Sequence, residues 1–199
     1  MSAPITSVCL FCGSNVGARP VYADAAQAFG RALAGRGITL IYGGGGVGLM
    51  RVAAQAALDG GGRVIGVITK QLMVREVGHS GLDELHVVAS MHERKALMAK
   101  LSQAFVALPG GFGTFDELCE MATWDQLGIQ AKPLVVVNVE GYFDGFLAQL
   151  DRAVADDLLK AEHRALLACV ATADEALAAI AAWSPPPVPQ WLRDAAPRP

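Results

Sequence analysis

Short apolar segments alternate along the chain with longer segments whose apolar residues recur every three or four positions. The first pattern is typical of buried β-strands and the second of amphipathic helices. Strands are predicted at residues 5–11, 38–42, 63–68, 84–88, 104–108 and 133–139. Helices are predicted at residues 22–34, 47–58, 91–101, 114–127, 144–155 and 174–183, and a polar loop at 69–83. Glycines end several of these segments, as at Gly35 and Gly60.

Strands that alternate with helices of this length indicate βαβ units and therefore a parallel sheet. The predicted strands are apolar on both faces, which is expected when helices cover both sides of the sheet. The sequence therefore predicts an α/β fold, a Rossmann-like, doubly wound and mainly parallel sheet in one domain over residues 1–183. The Pro-rich residues 184–199 are predicted to form a separate C-terminal tail, because Pro cannot continue the last helix.

Composition narrows the class of protein. The 199 residues are 53% hydrophobic with a net charge of −3, which excludes a disordered chain and argues against a nucleic-acid partner. We expect no membrane partner, because no apolar stretch approaches the ~20 residues of a spanning helix. The first residues lack the basic start of a signal peptide, so we expect a cytoplasmic protein.

The cysteines and histidines do not suggest a metal site. Cys9 and Cys12 form a lone CxxC within an apolar run, where two buried, reduced thiols are the simplest interpretation. The four histidines show no HxxxH or HExxH spacing. We therefore expect neither a metal nor a cofactor.

Three loops rich in glycine or small residues follow predicted strands, at residues 12–15, 43–48 and 109–114. The carboxyl ends of parallel strands form the ligand-binding edge of such sheets. Glycine lets backbone N–H groups converge on an anion, and a helix N-terminus adds partial positive charge. We therefore expect a phosphate-bearing ligand near Ser14, Gly44 and Gly110, although tight turns alone would also explain the glycines.

The second loop also fits GxGxxG as Gly43, Gly45 and Gly48. A dinucleotide site would need an acidic residue at the end of the next strand, and none is present there. Lys70 could instead meet the 2′-phosphate of NADP, which leaves an NADP-dependent oxidoreductase as a minor alternative.

Charged residues at two predicted helix starts are candidates for the chemistry. Thr114 and Glu117 have the spacing of a capping box, which would account for both residues structurally. A carboxylate in the first helical turn would also be kept ionised by the helix dipole and could stabilise a cationic transition state. Arg94 and Lys95 oppose the dipole of their helix, which suggests an anionic partner, either a ligand phosphate or Glu117.

Two segments carry a family resemblance. Residues 109–117, PGGFGTFDE, and residues 91–95, MHERK, resemble the paired signatures of the LONELY GUY family, the cytokinin riboside 5′-monophosphate phosphoribohydrolases. Residues 12–14, 43–50 and 123–128 are also similar, so that the resemblance extends over about residues 5–180. Members have also been labelled lysine decarboxylases, but none of the five lysines here lies in a recognisable pyridoxal-phosphate setting.

The resemblance implies hydrolysis of the N-glycosidic bond of an adenosine 5′-monophosphate, often N6-modified, to the free base and ribose 5-phosphate. It implies that Arg94 and Glu117 are the catalytic pair, with no metal or cofactor, in a homodimer. It also implies a set of nucleotide-binding residues. These are Glu76, Lys95, Gly111, Phe112, Gly113, Thr114 and Thr123.

Arg51 and Val74 depart from the family pattern, the second of them within loop 69–83, which we expect to shape the pocket for the N6 substituent. A nucleotide- or cofactor-binding Rossmann module without turnover is the alternative function. Pure binding would not need the Arg94 and Glu117 pair.

Overall fold

Seven parallel strands form one sheet in a computed structural model of the chain, which describes residues 4–76 and 78–185, without the side chains of residues 75 and 76. The strands are β1 Ser7–Phe11, β2 Thr39–Tyr42, β3 Val64–Thr69, β4 Glu84–Val88, β5 Ala104–Ala107, β6 Leu134–Val137 and β7 Leu167–Val170. Their spatial order is β4-β3-β2-β1-β5-β6-β7. The chain winds one way from β1 and the other way from β5, which confirms the doubly wound sheet.

Helices cover both faces of the sheet. They are α1 Pro20–Ala34, α2 Gly48–Asp59, α3 Lys70–Glu76, α4 Met91–Leu101, α5 Phe112–Gln126, α6 Asp144–Ala155, α7 Ala161–Arg164 and α8 Ala173–Ala182. Phe29 of α1 and Leu177 of α8 belong to the core on one face, while Met98 of α4 and Leu118 of α5 belong to the core on the other. No helix within the described residues is both long enough and apolar enough to cross a bilayer.

The prediction of a loop over residues 69–83 is wrong for its first half, where α3 forms. The hydroxyl of Thr69 accepts a hydrogen bond from the N–H of Leu72 at 3.3 Å and so satisfies one of the free donors at the start of the helix. The edge strand β7 and the single-turn α7 were also not predicted, because both are too short and too exposed to show an apolar period. Residues 186–199 of the expected tail lie outside the described part.

Asp125, near the end of α5, is a buried acid with one oxygen that lacks a partner among the described residues. It is 7% exposed; its Oδ1 accepts a hydrogen bond from the Lys132 N–H at 3.3 Å, while Oδ2 has no partner among the described residues. Burial raises the pKa of this carboxyl to about 7. Because an unfolded Asp titrates near pH 3.9, the folded state binds an extra proton between about pH 4 and 7, and stability falls as the pH rises through that range.

We expect Asp125→Asn to remove this loss of stability at rising pH, because the amide carries no charge to desolvate. The melting temperature of the wild type should fall more between pH 5 and pH 8 than that of the variant, as followed by circular dichroism. Asp24→Asn, at an exposed position of α1 without an ion pair among the described residues, is the matched control and should behave as the wild type. An equal pH dependence of wild type and Asp125→Asn would contradict the assignment.

Candidate active site

A cavity of about 220 Å³ opens at the carboxyl edge of the sheet, next to the switch point between β1 and β5. This is where doubly wound sheets bind ligands. The loop after β1, the starts of α2 and α4, one residue of α3 and the start of α5 line it. The lining residues are Cys12, Gly13, Ser14, Met50, Leu72, Met91, Arg94, Gly111, Phe112, Gly113, Thr114, Asp116 and Glu117.

Arg94, in the first turn of α4, is buried with only 5% of its surface exposed. Its Nε donates to the Val67 carbonyl at 2.9 Å, its Nη2 to the Gly43 carbonyl at 3.2 Å and its Nη1 to Oε1 of Glu117 at 2.8 Å. Two strand-end carbonyls therefore fix the guanidinium plane before any ligand binds. The predicted anionic partner of this cation is thus Glu117.

Glu117 lies in the second turn of α5 and is 8% exposed. Burial raises the pKa of its carboxyl above the ordinary value, and the positive charge of Arg94 opposes that rise. Oε1 is held by Arg94, whereas Oε2 has no hydrogen-bond partner among the described residues. The arrangement is an acid fixed through one oxygen, with the other oxygen left to interact with whatever occupies the cavity.

The predicted capping box at Thr114 and Glu117 is wrong. Helix α5 begins two residues earlier, at Phe112, with Gly111 as an N-cap that offers no side-chain acceptor. A side-chain cap exists instead at α4, where the hydroxyl of the N-cap Ser90 accepts from the Glu93 N–H at 3.1 Å, and Glu93 accepts from the Ala89 N–H, one residue before the N-cap, at 2.9 Å. The expected ionising effect of the first helical turn does not apply to Glu117, because it lies one turn further on.

The start of α5 is therefore open. The first backbone bond of the helix runs from the Phe115 N–H to the Gly111 carbonyl at 3.2 Å, and the N–H groups of Phe112, Gly113 and Thr114 meet no acceptor among the described residues. The first turn carries no acidic side chain. Free donors and the positive end of the helix dipole thus face the cavity that these three residues line, a combination that favours an anion.

Neither the backbone conformation nor the packing of the protein requires glycine at Gly111 or Gly113. Neither has a positive φ, and a Cβ added at either position would meet no atom within 4 Å. Neither backbone conformation nor packing therefore explains glycine at position 113, and close approach of a ligand remains as the reason. At Gly110, by contrast, an added Cβ would lie 2.1 Å from Oγ1 of Thr114, so this glycine is needed for packing.

We expect Gly113→Ala to weaken binding of a phosphate-bearing ligand about tenfold or more while leaving the fold intact, because the new methyl group would occupy the ligand's space. The measurement is the affinity for AMP by calorimetry, with the melting temperature recorded alongside. Gly145→Ala is the control, since Gly145 in α6 also has open space around it but lies outside the cavity lining. Equal AMP affinities for wild type and Gly113→Ala would count against a phosphate at the start of α5.

The two other loops contribute unequally. The Gly13 N–H donates to the Pro109 carbonyl at 3.0 Å and the Leu49 N–H to the Gly13 carbonyl at 2.9 Å, so the first loop joins the other two. Ser14, one of the predicted binding residues, is exposed and lines the cavity. Gly44 does not: with φ +72° it packs against β3 and β4, and its carbonyl accepts from the His79 N–H at 3.2 Å.

Several other predicted residues do not line the cavity. Nζ of Lys95 lies 3.1 Å from Asp116, which does line the cavity, and 3.0 Å from Glu120. Thr123 is exposed near the end of α5, where its hydroxyl donates to the Cys119 carbonyl at 2.7 Å. The side chain of Glu76 lies outside the described part.

Several residues that line the cavity were not predicted from the sequence. Cys12, Met50, Leu72 and Met91 form much of the apolar wall, and Asp116 adds a second carboxylate. Cys12 lies in the first of the loops that the sequence singled out, and Met50, Met91 and Asp116 lie in the segments that carry the family resemblance, whereas no signal marked Leu72. Within residues 4–76 and 78–185, no group of three or more His, Cys, Asp or Glu side chains is placed to hold a metal ion.

Comparison with known proteins identifies relatives across most of the chain. Residues 50–180 match the family model described as "Possible lysine decarboxylase". A rice protein named "Probable cytokinin riboside 5'-monophosphate phosphoribohydrolase LOGL1" is 52% identical over 170 residues, which are 85% of this chain and 76% of that protein. The Arabidopsis thaliana "Cytokinin riboside 5'-monophosphate phosphoribohydrolase LOG3" is 46% identical over 178 residues, 89% of this chain and 83% of that protein.

Solved structures with the same architecture include two related to the molybdenum cofactor. The carrier protein from Chlamydomonas reinhardtii has a TM-score of 0.66 at 21% identity, covering 90% of this chain and 97% of that one. The binding protein from Rippkaea orientalis has a TM-score of 0.65 at 21% identity, covering 91% and 97%. At this level of identity the likeness establishes the α/β fold alone.

Proposed function

The chain belongs to the family of cytokinin riboside 5′-monophosphate phosphoribohydrolases, and we propose that it hydrolyses the N-glycosidic bond of an adenosine 5′-monophosphate, including N6-modified forms, to the free base and ribose 5-phosphate. One structural observation supports the proposal for this chain. The buried Arg94–Glu117 pair and the open start of α5 line the same cavity.

The 5′-phosphate binds at the start of α5. The free N–H groups of Phe112, Gly113 and Thr114 supply donors, and glycine at 111 and 113 leaves room for the phosphate oxygens. Ser14 also lines the cavity. With the phosphate held there, the sugar lies toward Glu117, one turn further along the same helix.

Glu117 acts on the sugar. As the bond from C1′ to the base breaks, its electron pair leaves with the base and positive charge develops on the ribose. An ionised carboxylate close to that charge lowers the barrier, and its free oxygen can orient the water that adds to C1′. The water oxygen forms the new bond to C1′ and loses one proton, and the departing base gains one, so the reaction needs no other reactant.

Arg94 keeps the carboxylate in place. Its bonds to the Val67 and Gly43 carbonyls fix the guanidinium, and Nη1 then fixes Oε1 of Glu117. Its positive charge also favours the ionised form of Glu117 against the opposing effect of burial. The pair therefore supports catalysis as well as binding.

The test is to incubate the protein with AMP and with isopentenyladenosine monophosphate and to separate free base from nucleotide by chromatography. We expect stoichiometric release of free base and ribose 5-phosphate. If neither compound is cleaved although both bind, the protein is a nucleotide-binding module without turnover and the proposed reaction is wrong.

We further propose that the protein is a cytoplasmic homodimer. Leu127 and Ile129 at the end of α5 are 41% and 64% exposed, an apolar surface that a second copy could cover. All four cysteines are free thiols, which suits a reducing compartment. Light scattering after size exclusion should give twice the chain mass of 20.8 kDa, and a monomer would contradict the assembly.

A further inference from the structure

Tyr142 contacts the phosphate loop from outside the cavity. Its hydroxyl donates to the Gly110 carbonyl at 2.5 Å, joining the segment before α6 to the residue that precedes the N-cap of α5. Tyr142 is not among the residues that line the cavity, so the hydrogen bond to the Gly110 carbonyl is its observed link to the site.

An unusual turn delivers Tyr142 to this position. Two consecutive residues before it are left-handed, Glu140 with φ 47° and Gly141 with φ 77°, and a non-glycine residue rarely adopts that conformation. Asn138 holds the turn closed, because its side chain accepts from the Phe143 N–H at 2.7 Å and donates to Asp144 at 2.7 Å. Such strained turns persist only where the surroundings fix them, and they often occur at functional sites.

Aromatic neighbours fix the ring itself. Tyr22 of α1 packs edge-on against it with ring centroids 5.6 Å apart, and Phe143 does so at 5.2 Å. Arg19 adds to this support, since it lies over the Tyr22 ring and pairs with Glu140. Two aromatic contacts therefore hold the Tyr142 ring, one of them supported in turn by Arg19.

The peptide that joins Gly110 to Gly111 transmits this constraint. The peptide is trans, so its carbonyl and its N–H point in opposite directions. With the carbonyl turned toward Tyr142, the Gly111 N–H points away from it, and it has no acceptor among the described residues. A hydrogen bond at the carbonyl also polarises the peptide and makes its N–H a stronger donor.

We propose that Tyr142 is a positioning residue that turns the Gly111 N–H toward the phosphate of the substrate and strengthens it as a donor. This inference rests on the proposed function, in that the anion is taken to be the 5′-phosphate. Without Tyr142, flexible glycines on both sides of the peptide would let it rotate.

The experiment compares Tyr142→Phe with Tyr22→Phe. Both changes remove one hydroxyl from the same aromatic cluster, but the Tyr22 hydroxyl has no hydrogen bond to a described residue. For Tyr142→Phe we expect KM for AMP to rise about five- to tenfold with little change in kcat, and the Kd for inorganic phosphate to rise by a similar factor. Tyr22→Phe should leave both the KM and the Kd near their wild-type values. Neither variant should change the melting temperature appreciably.

The two measurements separate this inference from the proposed reaction. If the wild type binds phosphate but does not cleave AMP, the proposed function fails, and the phosphate Kd of Tyr142→Phe still decides the role of Tyr142. A phosphate Kd unchanged in Tyr142→Phe, an equal change in Tyr22→Phe, or no phosphate binding by the wild type overturns the inference. A fall in kcat without a change in KM or Kd would also overturn it.

Discussion

We expect Glu117→Gln to lower kcat for AMP by about 100-fold or more while the protein remains folded. The amide keeps nearly the same shape, and its oxygen can still accept the hydrogen bond that Arg94 Nη1 now donates to Oε1. It loses the negative charge that stabilises the cationic sugar and orients water. The measurement is release of free base under saturating substrate, with affinity for inorganic phosphate and the melting temperature recorded to show that the site is intact.

Glu120→Gln is the matched control for this variant. Glu120 lies one turn further along α5, pairs with Lys95 and is not among the residues lining the cavity. Its neutralisation should leave kcat close to the wild-type value. Near-normal turnover in Glu117→Gln would mean that the buried carboxylate serves only to neutralise Arg94.

We expect Gly43→Ala to lower kcat by a comparable factor, because it displaces Arg94. A Cβ added at Gly43 would lie 1.9 Å from Nη2 and 3.1 Å from Cζ of Arg94. Real structures essentially never contain such contacts, so the guanidinium must move away from the Gly43 carbonyl and from Glu117. Because the obstructed atoms are the end of a flexible side chain, we expect kcat to fall about 100-fold with only a moderate loss of stability.

The control for Gly43→Ala is again Gly145→Ala, where the added methyl group meets no atom within 4 Å. It should leave both kcat and the melting temperature near their wild-type values. Wild-type kcat in Gly43→Ala would show that the observed position of Arg94 is not needed for the reaction. Circular dichroism would reveal a loss of folding in Gly43→Ala. Glu117→Gln would then be the variant that tests the Arg94–Glu117 pair.

The sheet was predictable from the sequence because it rests on local signals, whereas for Arg94 the residues indicated only an anionic partner, either a ligand phosphate or Glu117. Apolar strands between amphipathic helices define the doubly wound order, and a cation placed against its helix dipole indicates an anionic partner. Both signals are present in the chain itself. The structure adds the carbonyls of Val67 and Gly43, which no pattern reveals because they belong to the backbone.

The start of α5 could not be placed correctly from the sequence. Thr114 and Glu117 have the spacing of a capping box, and the sequence offered no way to see that Gly111 ends up as the N-cap. A helix N-terminus without a side-chain cap gives no residue signal, yet it is the feature that leaves donors free for a ligand.

The glycines show a second limit of sequence reasoning. Gly43, Gly44 and Gly113 look equivalent in the sequence, but one makes room for Arg94, one packs against neighbouring strands and one borders open space. Their separate roles depend on what lies opposite each Cα in the folded chain. Tyr142 was missed for the same reason, since its partner Gly110 is 32 positions away in the sequence.

In the proposed reaction, the open start of α5 holds a 5′-phosphate so that the sugar lies beside Glu117. The most direct test is the ratio of kcat/KM for AMP to kcat/KM for adenosine, measured with the same preparation by release of adenine. The two compounds differ only in the phosphate, so we expect a ratio of about 1,000 or more, as charge-assisted binding at several amides would give. A ratio close to one would contradict it, because the amides of α5 would then contribute nothing to the reaction.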